Sequence, residues 1–263
     1  MALINPQNET QETYLFEAYL DSVKHIYVLL KAINFRDNAI CFATDNGLKV
    51  TVEDSKCVQA SAFIQKEVFQ RYELNDEQVA FKVNLTVLVE CLNIFGGSAT
   101  ALKMRYQGYG APLIMLLEEG GVITDCSIRT LEPEDILDFN FQAANVLNKI
   151  IFRSECLKDI FAELDSSSDL IEMILSPDPP YFRITTSGTA GDTTIDIPKH
   201  SDMIETFQCT TLATSRYKLS HVKPSVKSLI VSQKVSIRTD DRGVLCFQYM
   251  IPADNYTCFI EFC

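Results

Sequence analysis

LDSVKHIYVLLKAI, residues 20–33, returns in character at 154–164 as SECLKDIFAEL, and NLTVLVECLNIF at 84–95 returns at 220–230 as SHVKPSVKSLI. The two offsets, 134 and 136 residues, are nearly equal. In the first stretch Leu20, Val23, Ile26, Tyr27, Leu30 and Ile33 recur at spacings of three and four, which puts them on one helical face. The same spacing gathers Leu85, Leu88, Leu92 and Phe95, and again Leu157, Ile160, Phe161 and Leu164. Short alternating strands with glycine or proline turns fill the rest of each half. Two similar half-chains predict a pseudo-symmetric α+β molecule, each half made of antiparallel sheets with two helices segregated to one side.

At 263 residues and 47% hydrophobic content, the chain is long enough for two domains with separate apolar cores. The boundaries read as a flexible N-terminus at 1–13, one domain at 14–130, a connector at 131–140 and a second domain at 141–263. Residues 1–13 lack a basic start and an apolar run, so neither a secretion signal nor a membrane span is expected, and the protein is placed inside the cell. The nine cysteines stand singly with no Cys-x-x-Cys pair, and are expected as buried reduced thiols. Asn8, Asn84 and Asn255 head Asn-x-Ser/Thr triplets, which without a secretion signal are coincidental.

Local signals sharpen the elements. Residues 14–20 read as a strand, and Asp21 can serve the start of the first helix. Asn46-Gly47 predicts a hairpin with positive φ at both turn positions. Asn84 is the expected N-cap and Gly96 the stop of the second helix, and Ser154 is the expected N-cap of the third. Pro224 is expected in the first turn of the fourth. Residues 131–140 (LEPEDILDFN) carry four carboxylates and Pro133, as a linker would. Ile136, Leu137 and Phe139 within it either pin the linker to a sheet or line a groove that a partner occupies.

The net charge of −12 argues against a general nucleic-acid binder, because phosphate affinity rests on Lys and Arg. Its distribution is uneven, however. From Thr206 to Thr239 there is no Asp or Glu, while Arg216, Lys218, Lys223, Lys227, Lys234 and Arg238 supply six cations. The other 229 residues hold 17 basic against 35 acidic side chains, so one surface can be basic while the rest is acidic.

Catalytic motifs do not emerge. The ten glycines form neither a Walker loop nor a dinucleotide fingerprint, so no nucleotide cofactor is expected. There is no Gly-x-Ser-x-Gly elbow, and His25, His200 and His221 lack partners at zinc spacing, so no metal is expected. A metal-dependent nuclease often starts from a strand-borne Asp-x-Glu, which is missing. The clusters Glu132, Glu134, Asp135 and Glu163, Asp165, Asp169 read as solvated charge.

Taken in order, KAINFRDNAICFATDNGLKVTVEDSKCVQASAFI, MRYQGYGAPLIMLLEEGGVITDCSIRT, NKIIFRSECLKDIFAELD, SPDPPYFRITTSGTAG and KVSIRTDDRGVLCFQYMI closely resemble the Rad-one family of DNA-damage checkpoint clamp subunits. That family joins Rad-nine and Hus-one types in the 9-1-1 ring and is related to the proliferating cell nuclear antigen. The resemblance runs from about Tyr14 to the end. It implies the DNA sliding-clamp fold, a non-catalytic role, nuclear localisation, and two partner clamp subunits closing a heterotrimeric ring around double-stranded DNA. A clamp loader and repair and checkpoint proteins are the further partners it implies. Within that frame, Lys24 and Lys31 of the first helix, Lys158 of the third, and Lys223 and Lys227 of the fourth are the expected DNA-binding groups, sequence-blind and phosphate-facing. The second helix departs from the pattern, with Glu90 its one charge. Ile136 and Leu137 are the expected lip of a peptide pocket beside the connector. Glu53 stands about where the replicative relative has an apolar residue, so partner choice is expected to differ. A 3′ to 5′ exonuclease and a two-domain adaptor that never encircles DNA are the alternatives.

Overall fold

The computed structural model describes residues 13–96, 99–139, 141, 145–189, 191–253 and 256–263. The N-terminus up to residue 12, the triplets at Asn8 and Asn255, and Asn140 of the expected connector lie outside the described residues. Two compact units form. The first takes the chain to Asp54, then Ser61–Ile136 and Ala253–Cys258; the second takes Ser55–Ala60, Leu137–Pro252 and Phe259–Cys263.

The first half of the chain runs β1 (Phe16–Leu20), α1 (Lys24–Ile33), β2 (Asn38–Thr44), β3 (Gly47–Asp54), β4 (Val58–Gln65), β5 (Arg71–Leu74), β6 (Gln78–Asn84), α2 (Leu85–Leu92), β7 (Ala101–Tyr106), β8 (Leu113–Glu119), β9 (Val122–Ile128) and the short β10 (Thr130–Leu131). The second half runs β11 (Val146–Arg153), α3 (Ser154–Ala162), β12 (Leu170–Leu175), β13 (Phe182–Gly188), β14 (Gly191–Ile197), β15 (Ile204–Cys209), β16 (Ala213–Lys218), α4 (Leu219–Val222), a 3-10 turn (Lys223–Ser225), α5 (Val226–Leu229), β17 (Lys234–Asp240), β18 (Leu245–Ala253) and β19 (Tyr256–Phe262).

The duplication is written into the strand order. In the first half β5-β1-β7-β8-β9 are neighbours, and in the second β15-β11-β17-β18-β19, each number ten places on. Likewise β4-β3-β2-β6 answers to β14-β13-β12-β16, with β10 added beside β6 in the first half alone. The pairs β7·β8 and β12·β13, each joined by a short connection, run antiparallel, and so do β1·β7 and β11·β17, whose strands are far apart in the chain.

Each half closes two sheets over an aromatic core. Phe16 of β1 sits 6.5 Å from Phe81 of β6, and Phe81 sits 4.5 Å from Tyr106 of β7, so the rings tie one sheet to the other. In the second half Phe152 of β11 meets Phe182 of β13 at 5.6 Å. The helices lay their apolar stripes on this core: Ile26, Leu29, Leu30 and Ile33 of α1 and Leu85, Leu88 and Leu92 of α2 are buried. α1 packs beside α2, and α3 beside α5.

Local chemistry sets the ends. Asn84 Oδ1 accepts the Val87 N–H at 2.9 Å, the expected N-cap of α2, and Gly96 ends that segment at φ +66°. Glu119 pairs with Val122, leaving Gly120-Gly121 as a two-residue turn with φ of +61° and +83°, values that glycine alone adopts cheaply.

Several expectations need correction. Leu20 belongs to β1, so α1 begins at Lys24, its N-cap is Val23, and Asp21 accepts from Gln70 Nε2 at 2.9 Å instead of capping. Ser154 is the first residue inside α3, and its hydroxyl shares a 2.7 Å hydrogen bond with Ser232. The fourth helix starts at Leu219, so Pro224 falls five residues in. Lacking an N–H, it coincides with the 3-10 turn that divides α4 from α5. At Asn46-Gly47 the turn residues are Asp45 and Asn46, because Thr44 pairs with Gly47, whose φ is +129°. Of the nine unpaired cysteines, Cys41, Cys246 and Cys258 are buried, five are half-buried and Cys57 is exposed.

Candidate nucleic-acid interface

An amphipathic helix that commits one face to the core turns the other outward, and this places the predicted lysines. Lys24 and Lys31 are exposed on α1, seven residues or two turns apart, and no carboxylate lies within that helix. Lys31 Nζ donates to Tyr27 Oη at 3.0 Å and lies 5.2 Å over that ring, so its position in the last turn also suits the helix dipole. Lys158 is exposed on α3 but sits between exposed Glu155 and Asp159. α2 contributes no cation, and its outward residues are Val87, Glu90 and Asn93.

Lys223 and Lys227 are both exposed, one on the 3-10 turn and one on α5. Lys223 Nζ donates to the Ser166 carbonyl at 3.1 Å, which tethers it to the loop after α3. The acid-free stretch is partly neutralised by carboxylates outside it. Arg216 pairs with Glu172 at 2.6 Å, Lys234 with Glu205 at 2.8 Å, and Arg238 with Glu261 at 2.7 Å. Lys218, Lys223 and Lys227, clustered at the fourth helical segment, supply the rest of its positive charge. Sequence spacing identified the cations but not these partners, which come from strands remote in the chain.

The connector is fastened along its length. Thr130 and Leu131 add to β6 as β10, and Glu134 accepts from Lys82 Nζ at 2.5 Å. Farther on, the Leu137 carbonyl accepts from Gln59 Nε2 at 2.8 Å and the Phe139 carbonyl from Arg242 at 2.7 Å. Ile136 is half-buried, and Leu137 is 37% exposed. Phe139 lines a mostly apolar cavity of about 390 Å³ in the second unit with Val222, Leu245, Phe247 and Phe262, and Arg216, Lys218 and His221 also belong to its lining. Glu53 is half-buried near the end of β3, next to Asp54, which holds Arg36 at 2.6 Å.

In the acidic clusters Glu132, Glu134, Asp135, Glu163 and Asp169 are exposed, and Asp165 is half-buried. Asp165 accepts from the Ser167 N–H and hydroxyl at 2.8 and 2.7 Å, and these bonds hold its carboxyl below the usual carboxylate range. Among the described residues, Glu163, Asp165 and Asp169 do not converge on one point as a two-metal nuclease centre requires. No helix among those residues is long and apolar enough to cross a membrane.

The family model for repair proteins Rad1/Rec1/Rad17 matches residues 15–251. The chain is 53% identical to the cell cycle checkpoint protein RAD1 of Mus musculus and 52% identical to that of Homo sapiens. Both alignments cover all of this chain and 96% and 95% of the relatives. More distantly, it is 26% identical to the DNA repair exonuclease REC1 of Mycosarcoma maydis over 61% of this chain and 42% of that protein.

Proposed function

This chain belongs to the Rad1/Rec1/Rad17 family of repair proteins, and on that footing we propose that it is a non-catalytic subunit of a heterotrimeric clamp in DNA-damage checkpoint signalling and repair. The observation that carries the reading is the repeated topology, in which each half sets a helical pair over an antiparallel framework. Residues 14–130 and 141–263 are its two clamp domains, joined by the connector at 131–140. Two other clamp subunits, of the Rad-nine and Hus-one types, complete the ring in the nucleus, and a clamp loader places it on DNA.

Double-stranded DNA passes through without its bases being read. Lys24, Lys31, Lys158, Lys223 and Lys227 supply loose phosphate contacts, and the acidic remainder of the surface discourages side-on binding. Ring closure uses backbone edges. β9 and β14 each end a sheet and share the same exposed alternation, with Val122 and Ile123 bare on β9. Glu53, Ile136 and Leu137 border the place where partner peptides dock.

Electron microscopy of the chain assembled with its two presumed partners tests the proposal. A closed ring with a central hole is expected, and assemblies without one would leave the adaptor reading standing. In parallel, the purified chain with magnesium is expected to leave duplex and single-stranded ends intact. Digestion abolished by one carboxylate substitution would transfer the exonuclease reading to this chain.

A further inference from the structure

Three metal-binding donors meet in the second unit although no sequence motif links them. Cys246 on β18, Glu261 on β19 and Cys263 beyond its end each offer one ligand atom, and these atoms lie within 4.8 Å of one another. Cys246 is buried, and the other two are half-buried. Zinc bonds of about 2.3 Å to sulfur and about 2.0–2.2 Å to carboxylate oxygen imply ligand atoms roughly 3.5–3.8 Å apart in a tetrahedron, so modest side-chain rotation closes the site. We propose that Cys246 Sγ, Cys263 Sγ and one Glu261 carboxylate oxygen bind a thiophilic divalent cation, zinc foremost, with water in the fourth position.

The surrounding framework fits that cation. Arg238 of β17 stands directly opposite Cys246, and its Nη2 donates to Glu261 at 2.7 Å and to Cys246 Sγ at 3.2 Å. Its guanidinium also lies 5.0 Å over the Phe141 ring. When the site is empty, the Arg238 cation and the Glu261 anion cancel beside two neutral thiols. On binding, both thiol protons leave to solvent as the dication enters, so two thiolates, one carboxylate, one guanidinium and the metal again sum to zero. Arg238 then serves as the outer partner that donates to a ligating sulfur and orients the ligating carboxylate. The Cys263 backbone is held from the other side, its N–H and C=O each paired with Gln59 at 2.9 Å. Two thiolates select zinc or cobalt over magnesium or calcium, which separates this site from any nuclease centre.

Anaerobic titration of the reduced full-length chain with cobalt(II) reads the site directly. One equivalent is expected to produce thiolate-to-cobalt charge-transfer absorption with tetrahedral visible bands, both erased by one equivalent of zinc. Cys246→Ser and Cys263→Ser should each abolish the signal while far-ultraviolet circular dichroism stays native. Should the buried Cys246 variant misfold, the half-buried Cys263 variant still decides. Glu261→Gln should weaken cobalt binding about 10-fold or more, and Arg238→Lys about 10- to 100-fold. The proposal is overturned by the lack of a thiolate band in the reduced wild type. It is equally overturned by a band that survives both cysteine variants, as metal on other cysteines would give, or by mass spectrometry showing a Cys246–Cys263 disulfide that persists in reductant.

Discussion

Glu17 of β1 and Arg105 of β7 are cross-strand partners, and the Arg105 Nε–H donates to Glu17 Oε2 at 2.9 Å inside the first unit's sheet. Glu17 also lies 3.3 Å from Arg71 and 3.8 Å from Lys103, so one carboxylate faces three cations. Lys103 is 1% exposed, and burial holds both its pKa and that of Arg105 below their ordinary values. Glu17→Gln keeps the shape and removes the counter-charge, with an expected loss of about 3–5 kcal/mol in urea unfolding. Adding Arg105→Met should recover part of that loss. A single-variant loss below about 1 kcal/mol would mean the cations reach water.

Gly47 opens β3 at φ +129°, and a Cβ built there would stand 2.2 Å from the Ile64 carbonyl oxygen. Both the backbone conformation and the contact penalise any side chain. Gly47→Ala is expected to cost at least about 1–3 kcal/mol, measured by thermal unfolding. Gly121→Ala meets open space at a positive φ and should cost less. Equal losses would remove the contact from the explanation.

Arg183 and Asp196 face each other across β13 and β14, joined by two hydrogen bonds of 2.5 and 2.7 Å. The Arg183 hydrogen bonds hold the Asp196 carboxyl below the usual carboxylate range. Its stabilisation is therefore fully present above about pH 4, the unfolded value, and lost as pH falls through the lower folded value. Asp196→Asn should lose only about 0.2–1 kcal/mol at neutral pH, since the carboxylate is half exposed. It should also show a shallower decline in stability below pH ~4. Identical acid profiles for the two proteins would show that the pair is uncoupled.

Replacing Lys223 and Lys227 with Glu is expected to weaken retention of the assembled ring on closed circular DNA while assembly persists. The slope of log affinity against log salt should shrink by about two, one for each lost phosphate contact. Because Lys223 also holds the Ser166 carbonyl, unfolding midpoints are measured alongside. Retention with unchanged salt sensitivity would remove these two lysines from the DNA-facing set.

A replication-type aromatic peptide is expected to bind weakly beside the connector, because half-buried Glu53 would be desolvated against it. Glu53→Leu should tighten binding about 10-fold, equivalent to about 1.4 kcal/mol in titration calorimetry. Tight wild-type binding that Ile136→Ala abolishes would reverse the partner preference.

Periodic features were the legible ones. The α1 and α2 stripes and the Asn84 cap each depend on residues within one helix and its first turn, so local pattern exposed them. Cross-strand chemistry was hidden. Lys103 and Arg105 carry no local signal of burial, and only β1 sets Glu17 against them, 88 residues away for the Arg105 pair. Cys246, Glu261 and Cys263 carry no motif, since strand pairing brings them together. Pro224 misled for a different reason: a proline that commonly opens a helix here lies within a helical segment already begun. For the candidate interface, the lysines and the carboxylates beside Lys158 were legible as charges on their helices, while the Ser166 tether on Lys223, 57 residues away, lay beyond local pattern.

Because every strand from β11 to β19 has a counterpart ten numbers earlier, the molecule carries its own experimental control. Asn84 caps α2, whereas Lys218, at the matching junction before α4, offers no side-chain cap. Swapping those two junction residues would compare a secured and an unsecured version of one architectural joint inside a single polypeptide, at identical concentration, temperature and ionic strength.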